Sequence, residues 1–247
     1  MTIAINLTAD SSGNGVDLHG ALEDFNNNFS LGSGNHGTFY TGLADTTASY
    51  GGTQFYADDQ DGGSSYTGGV LATAGDTNFA YDIQSHTITG NLDELSFGET
   101  LGYNSTFTAR EFTDSSVDIS GLDLSDSDTN GVLVDIYTGS TDTLESVFDS
   151  QGVEINGSTG DDVIGGWAGD DVLTGNGGAD TFEFDTSADF GDDTVTDFTD
   201  GTDLLDIDYA SVTVADDGSG NALISHANGT VTLTGVDYTD IDATDFV

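Results

Sequence analysis

Tyr81 and His86 stand five positions apart in the stretch Asn78-Phe79-Ala80-Tyr81-Asp82-Ile83-Gln84-Ser85-His86. On one continuous strand an odd separation would send the two side chains to opposite faces, because the side-chain period is two. If Asp82 to Ser85 instead reverses the chain, phenol and imidazole face each other across a hairpin or loop neck, with Cβ atoms roughly 4.5–5.5 Å apart. An imidazole that accepts the phenolic proton favours the phenolate, since a hydrogen bond to the charged form stabilises it. A phenolate is a hard anionic ligand suited to ferric iron, and tyrosine is one of the axial ligands of haem. An ordinary cross-strand Tyr/His pair satisfies the same spacing. The other histidines are His36 in a Gly-rich loop, His19 one position from an apolar helical stripe, and His226 at a strand end. The loop position suits binding or plain solvation. The other two read as structural or surface residues.

A second constellation begins at Gly157. Three nine-residue periods align there, starting at Gly157, Gly166 and Gly175. Each has Gly at positions 1 and 4, an aspartate at position 6 (Asp162, Asp171, Asp180) and a large apolar residue at position 8 (Ile164, Leu173, Phe182). This is the pattern of the Ca²⁺-binding nonapeptide repeat of a parallel β-roll, except that Ser158, Trp167 and Asn176 replace Gly at position 2. Glycines let the backbone turn tightly and aim carbonyls at a hard cation, the aspartate adds a charged oxygen, and the apolar residue starts a short strand that fills the core. Successive turns alternate sides. Asp162 and Asp180 are therefore expected to share one Ca²⁺, with Asp171 on the opposite edge. Backbone carbonyls near Gly157, Thr159, Gly166, Ala168, Gly175 and Gly177 complete the expected ligand set.

The rest of the chain supplies the elements that hold these groups in place. Leu18, Leu22, Phe25 and Phe29 recur at helical spacing and predict a helix within Gly15 to Phe29. Ser30 to Gly69, rich in Gly, Ser, Thr and Asn, reads as a long mobile loop leading into strands around Phe39-Tyr40 and Tyr50 to Tyr56. Val70 to Ala72 and Asn78 to Ser96 supply further strand material, and Val117 to Leu124 alternates as a strand does. Asn130 to Tyr137 fits either a strand or a buried helix. Thr141 offers N-cap chemistry for a short helix carrying Leu144, Val147 and Phe148 on one face. Beyond the repeats, Ala222 to His226 and Thr230 to Leu233 flank Asn228-Gly229, a hairpin signal.

The chain has 247 residues, 35% of them apolar, enough for one large domain or two small ones with a buried core. It has 45 acidic residues, one basic residue (Arg110) and a net charge of -44. Nothing that acidic neutralises phosphates, so nucleic acid and anionic membranes are excluded as partners. Self-repulsion on this scale calls for cations among the carboxylates. With no cysteine there is no disulfide staple. No apolar run reaches the roughly 18 residues that span a bilayer, and the first residues lack a secretory signal pattern. No H-E-x-x-H and no G-x-S-x-G occurs, and four scattered histidines assemble no zinc-protease helix, so an enzyme is not expected.

Residues 1–156 resemble the secreted bacterial haemophores of the HasA type. The likeness is carried by Ser85 to Gly98, by Ile119 to Ser125, and by Thr141 to Phe148 with Val153 to Thr159. It implies an α+β domain, a curved antiparallel sheet with helices on one face, in which Tyr81 is the tyrosinate ligand of ferric haem, His86 its hydrogen-bond partner and His36 a ligand on the opposite side. It also implies haem captured from host or environmental haem proteins and delivered to an outer-membrane receptor. With Arg110 alone available, the haem propionates are expected to face solvent or neutral donors. Residues 157–247 resemble the carboxy-terminal calcium-binding module of the serralysin group, an all-β parallel roll with a terminal hairpin. Asp245-Phe246-Val247 resembles the ending of a type I secretion signal, which implies an extracellular protein exported without an amino-terminal signal. The competing expectation is a secreted calcium-binding adhesin or surface-layer module that binds no haem.

Overall fold

The computed structural model describes residues 2–31, 37–41, 47–48, 51–59, 68–104 and 109–247. His36 lies outside the described residues. Packing divides the chain into one compact unit of Leu22–Leu144 and another that joins Thr2–Ala21 to Glu145–Val247. The sequence pattern changes at 156/157, but the packing does not divide there. Strand Ile3–Leu7 pairs in parallel with Val153–Asn156, which pairs in turn with Val172–Thr174, the strand of the second repeat.

In the first unit an antiparallel sheet runs in the order Val117–Ser120, Leu92–Gly98, Gly69–Ala74, Gln54–Asp58, Thr38–Tyr40, Thr47–Ala48. Val70, Leu71, Ala72, Leu95, Phe97, Val117 and Ile119 are buried along it. A smaller sheet joins Gly51–Gly52, Phe79–Asp82 and Thr87–Thr89. The expected helix near the amino terminus is α1, Leu18–Asn28. All four stripe residues, Leu18, Leu22, Phe25 and Phe29, are buried, with the Phe25 ring stacked on Phe29 and edge-on to Phe97.

The ambiguous stretch at 130–137 belongs to a helix, α2, Asp126–Thr138, that starts behind Ser125 and ends at Gly139 in the left-handed conformation. Its buried residues Thr129, Val132, Leu133 and Ile136 fall at helical spacing, and Asp126 and Asp128 sit in the first turn, where the helix dipole favours them. The short helix is α3, Asp142–Gln151. Ser140 Oγ accepts its Asp142 amide and Asp135 Oδ2 its Thr143 amide, and the Thr141 hydroxyl pairs with Asn26.

The second unit is a parallel roll of two layers. Val153–Asn156, Val172–Thr174, Gly191–Val195 and Gly229–Leu233 lie in one sheet, and Val163–Gly165, Thr181–Glu183 and Leu204–Asp206 in the other, so the chain changes layer with each turn. The position 8 residues Ile164, Leu173 and Phe182 are all fully buried between the layers, with Ile155, Val195 and Leu205. Ala222–His226 and Gly229–Leu233 form the expected antiparallel hairpin, and Thr213–Asp216 adds to its outer edge. The fold is thus an α+β region joined to a β-rich parallel roll. No helix among the described residues is long and apolar enough to cross a membrane.

Candidate functional site

The chain does reverse after Asp82. Phe79–Asp82 pairs antiparallel with Thr87–Thr89 in the register Ala80 to Thr89, Tyr81 to Ile88 and Asp82 to Thr87, leaving residues 83–86 as a four-residue turn. Asp82 starts the turn, as aspartate commonly does: its Oδ1 accepts the amides of Gln84 at 2.7 Å and Ser85 at 3.1 Å. Those two amides, Ser85 first, hold the Asp82 carboxyl below the usual carboxylate range. Ser85 Oγ and Thr87 Oγ1 close the neck at 2.7 Å. The base is anchored through buried Phe79 and Ile88, and α2 grips the strand where Asn130 Oδ1 accepts the Ile88 amide and Asp126 Oδ1 accepts that of Gly90.

On this support Tyr81 Oη lies 2.7 Å from His86 Nδ1, with ring centroids 6.2 Å apart. The contact is not made by cross-strand register, since Ile88 stands opposite Tyr81. It is made by the backbone of His86, which takes φ +56°, a left-handed conformation that few non-glycine residues adopt. Tyr81 is half-buried, His86 is exposed, and Ile83 in the same turn is 53% exposed. An imidazole and a large apolar side chain thus stand on one exposed turn, with a phenol in hydrogen-bond contact on the strand that leads into it. Arg110, in a neighbouring two-stranded ribbon, holds its guanidinium 5.2 Å above the Tyr40 ring, and its amide donates to Gln54 Oε1.

The two other described histidines, His19 and His226, take structural places. His19 Nε2 contacts the Gly165 carbonyl at 3.0 Å and its ring lies 4.9 Å from that of Trp167. His226 Nδ1 accepts the Asn228 amide across the terminal hairpin.

In the roll the three repeat aspartates are buried. On one edge Asp162 Oδ1 accepts the Val16 amide, Asp180 Oδ1 accepts that of Asp162, and Asp203 Oδ1 accepts that of Asp180. On the other edge Asp171 Oδ1 accepts the Val153 amide and Asp193 Oδ1 accepts that of Asp171. The structure therefore brings Asp162 and Asp180 together and joins Asp171 to Asp193. Asp193 and Asp203 extend the two ladders, but they stand 22 and 23 residues beyond their partners instead of 18, so the nine-residue period does not reach them.

The three departures at position 2 have visible roles. Ser158 gives its amide and hydroxyl to Asp162. Trp167 packs on Phe148 at 4.5 Å between ring centroids as well as on His19. Asn176 takes the left-handed φ of +66° and donates its Nδ2 to the Gly157 carbonyl.

The carboxylates suit a hard cation in charge and donor type, and Arg110 is the sole Lys or Arg in the chain to offset them. Burial pushes Asp180 up to about 6 against the pull of the Asp162 amide, and the Asp203 and Asp162 carboxylates push the same way. Burial likewise pushes Asp193 up to about 8, with Asp171 and Asp170 adding to it. Convergence is a different matter: Asp162, Asp171 and Asp203 each direct both oxygens at amides. Among the described residues no three acidic or imidazole side chains gather as a metal centre would.

No protein-family model and no curated protein matches this chain. Among solved structures, similarity extends to the apo haemophore HasA of Yersinia pestis, 20% identical over 60% of this chain and 89% of that one, with TM-score 0.47. Holo HasA of the same organism is 21% identical with TM-score 0.46, again over 60% of this chain and 89% of that one. The AlgE6R3 subunit of the Azotobacter vinelandii mannuronan C5-epimerase is 25% identical over 39% of this chain and 72% of that one, with TM-score 0.30. At TM-scores below 0.5, none of these carries a site or an activity to this chain.

Proposed function

We propose that the protein captures ferric haem, with Tyr81 as the phenolate ligand, His86 as the acceptor that keeps the phenolic proton off the iron-binding oxygen, and His36 as a second ligand. The observation that carries this reading is the 2.7 Å contact between Tyr81 Oη and His86 Nδ1, held on an exposed turn by a left-handed histidine. A backbone outlier held in place by its surroundings is a pointer to function. Exposed Ile83 supplies apolar surface on the same turn, which an aromatic macrocycle requires. The sequence resemblance of residues 1–156 to haemophores points the same way. With it come export by the type I route, a haem source in host or environmental haem proteins and delivery to an outer-membrane receptor. The role is binding and transfer, without catalysis.

The roll belongs to the same reading as a module that takes up Ca²⁺ after export. Asp162 and Asp180 on one edge and Asp171 on the other would hold it, with carbonyls near Gly157, Thr159, Gly166, Ala168, Gly175 and Gly177. What favours this is the stack of buried carboxylates in residues 157–247, a stretch that has no Lys or Arg.

Haemin titration of the wild type beside Tyr81→Ala, His86→Ala and His36→Ala, followed at the Soret band, tests the haem site. Tyr81→Ala is expected to abolish the tyrosinate spectrum. If it binds as the parent does, the assignment is wrong, and a folded wild type with no Soret band favours the adhesin or surface-layer alternative. Chelation is expected to expose residues 157–247 to protease. Unchanged protease resistance in chelator would count against the calcium reading.

A further inference from the structure

The strand that leads out of the Tyr81–His86 turn has an edge that a helix closes. Thr87–Thr89 pairs with Phe79–Asp82 on one side and is the last strand of its sheet. Alternate amides of an edge strand face away from its partner. Here α2 takes them. Asn130 Oδ1 accepts the Ile88 amide at 2.7 Å, and Asp126 Oδ1 accepts that of Gly90 at 3.0 Å. Two residues further on, Thr129 Oγ1 accepts the Leu92 amide at 3.1 Å, and Leu124, just before the helix, exchanges both backbone bonds with Leu92 at 3.0 and 2.9 Å.

The spacing of the two chains matches. Helix residues four apart share a face and lie about 6 Å apart along the axis. Strand residues two apart lie about 6.6 Å apart and present their amides to the same edge. Asn130 and Asp126 therefore meet Ile88 and Gly90 as a pair of acceptors, where a further strand would have offered carbonyls. The contact bears on the site because it fixes the chain two residues beyond His86. His86 stands at φ +56° and reaches Tyr81 Oη through its ring at 2.7 Å, a geometry that cross-strand register does not supply. Whatever sets the direction of the chain leaving His86 sets the place of that ring.

We propose that Asn130 is a positioning residue for Tyr81: by holding the Ile88 amide it keeps the His86 ring on the phenolic oxygen, with Asp126 as the second point of the same clamp. The proposal rests on the haem reading for its effect on affinity, and not for its effect on the Tyr81–His86 hydrogen bond. Asn130 touches neither ring and acts through the backbone from 86 to 88. Its loss is not a loss of helix, since alanine is a better helix former than asparagine. An aspartate at 130 keeps an acceptor oxygen of the same reach and should keep the pair.

The test uses the full chain, first without haem. Nitrogen-15 spectra of the histidine rings report the hydrogen bond at His86 Nδ1, and Tyr81→Phe, which lacks the hydroxyl, marks where that resonance lies when the bond is absent. In Asn130→Ala the resonance should move toward the Tyr81→Phe position, and in Asn130→Asp it should stay near the wild type. Haemin titration follows. Asn130→Ala should raise Kd by about fivefold, less than removal of the imidazole does, because it acts through that ring. In the His86→Ala background the same change should alter Kd by no more than about twofold. If Asn130→Ala does not fold, Asp126→Ala, at an exposed position of the first turn, carries the same test from the Gly90 amide. A wild type that binds no haemin defeats the haem reading and leaves the ring spectra to decide this one. An unmoved His86 resonance overturns the proposal whatever haem does. So does a loss of affinity that recurs in full in the His86→Ala background, which would mean that the contact only stabilises the fold.

Discussion

Replacing His86 by glycine and by alanine separates what the residue does for the hairpin from what it does for Tyr81. Both changes remove the 2.7 Å hydrogen bond to Tyr81 Oη. Between neutral groups at an exposed site such a bond contributes about 0.5–1.5 kcal/mol to stability. The two differ in backbone terms: at φ +56° a Cβ costs about 1–2 kcal/mol, which glycine does not incur and alanine does. Histidine tolerates this conformation better than alanine. His86→Gly should therefore unfold within about 1 kcal/mol of the wild type, its strain relief offsetting the lost hydrogen bond. His86→Ala should lie about 1–2 kcal/mol below His86→Gly. Haem affinity should respond otherwise. A hydrogen bond to an ionised phenolate is worth about 1.5–3 kcal/mol, and the exposure of His86 puts it at the lower end, so both variants should lose about tenfold in Kd. Urea unfolding followed by far-ultraviolet circular dichroism gives the stabilities and haemin titration gives the affinities. Equal stability of the two variants would refute the imposed left-handed backbone, and undiminished affinity in both would refute the role of the imidazole.

Other outcomes rest on packing and charge. Phe182→Ala, at a fully buried position 8, should cost about 3–5 kcal/mol. Val172→Ala in the neighbouring repeat, 38% exposed, should stay within about 0.5 kcal/mol, and similar losses at both sites would contradict the layer assignment. Trp167→Ala removes the ring packed on His19 and Phe148 and should lower the melting temperature of the roll more than Trp167→Phe does, as differential scanning calorimetry would show. Glu183 has its carboxyl raised above 4.5, by burial first, with the His19 side chain opposing. A raised folded-state value makes protonation stabilising, a contribution fully present below the unfolded value and lost as pH climbs through the folded one. Glu183→Gln should therefore match the wild type near pH 4 and exceed it at pH 7; urea midpoints that fall below the wild type at pH 7 would reverse the assigned sign.

What could be read in the chain, and what could not, divides along physical lines. Period and burial agree wherever a residue type alone decides its side of an element: Leu18, Leu22 and Phe25 on α1 with Phe29 just past its end, and Ile164, Leu173 and Phe182 in the roll, are all buried. The sequence left the reversal after Asp82 as one of two geometries, and the Asp82 side chain, which accepts the Gln84 and Ser85 amides, decides for it. The left-handed backbone of His86 was not, since nothing in a histidine demands φ above zero and the surrounding turn imposes it. The run Asn130 to Tyr137 was ambiguous because apolar residues crowd it on every side, and only Ser125 and the acidic first turn, lying outside the run, decide for a helix.

Asp193 and Asp203 escaped the repeat pattern for a different reason. The hydrogen bond each makes depends on the layer change, not on the count of residues between turns, so the longer turns at 184–190 and 196–203 break the period and keep the ladder. The consequence reaches the function of the repeat aspartates. A carboxylate that accepts amides from the turns above and below supports the fold whether or not a cation is bound, and a cation adds to that role by relieving charge. Asp162→Asn and Asp161→Asn distinguish the two roles. Asp162 takes the amides of Val16 and Ser158 out of water, while exposed Asp161 takes only that of Ala179. An asparagine at 162 keeps one acceptor oxygen and leaves an amide unmet, so the loss should be about 1–3 kcal/mol in saturating Ca²⁺ as well as at limiting Ca²⁺. At 161 it should be under about 1 kcal/mol. A loss at 162 that appears only when Ca²⁺ is present, and vanishes in chelator, would mean that this carboxylate serves the cation and not the backbone.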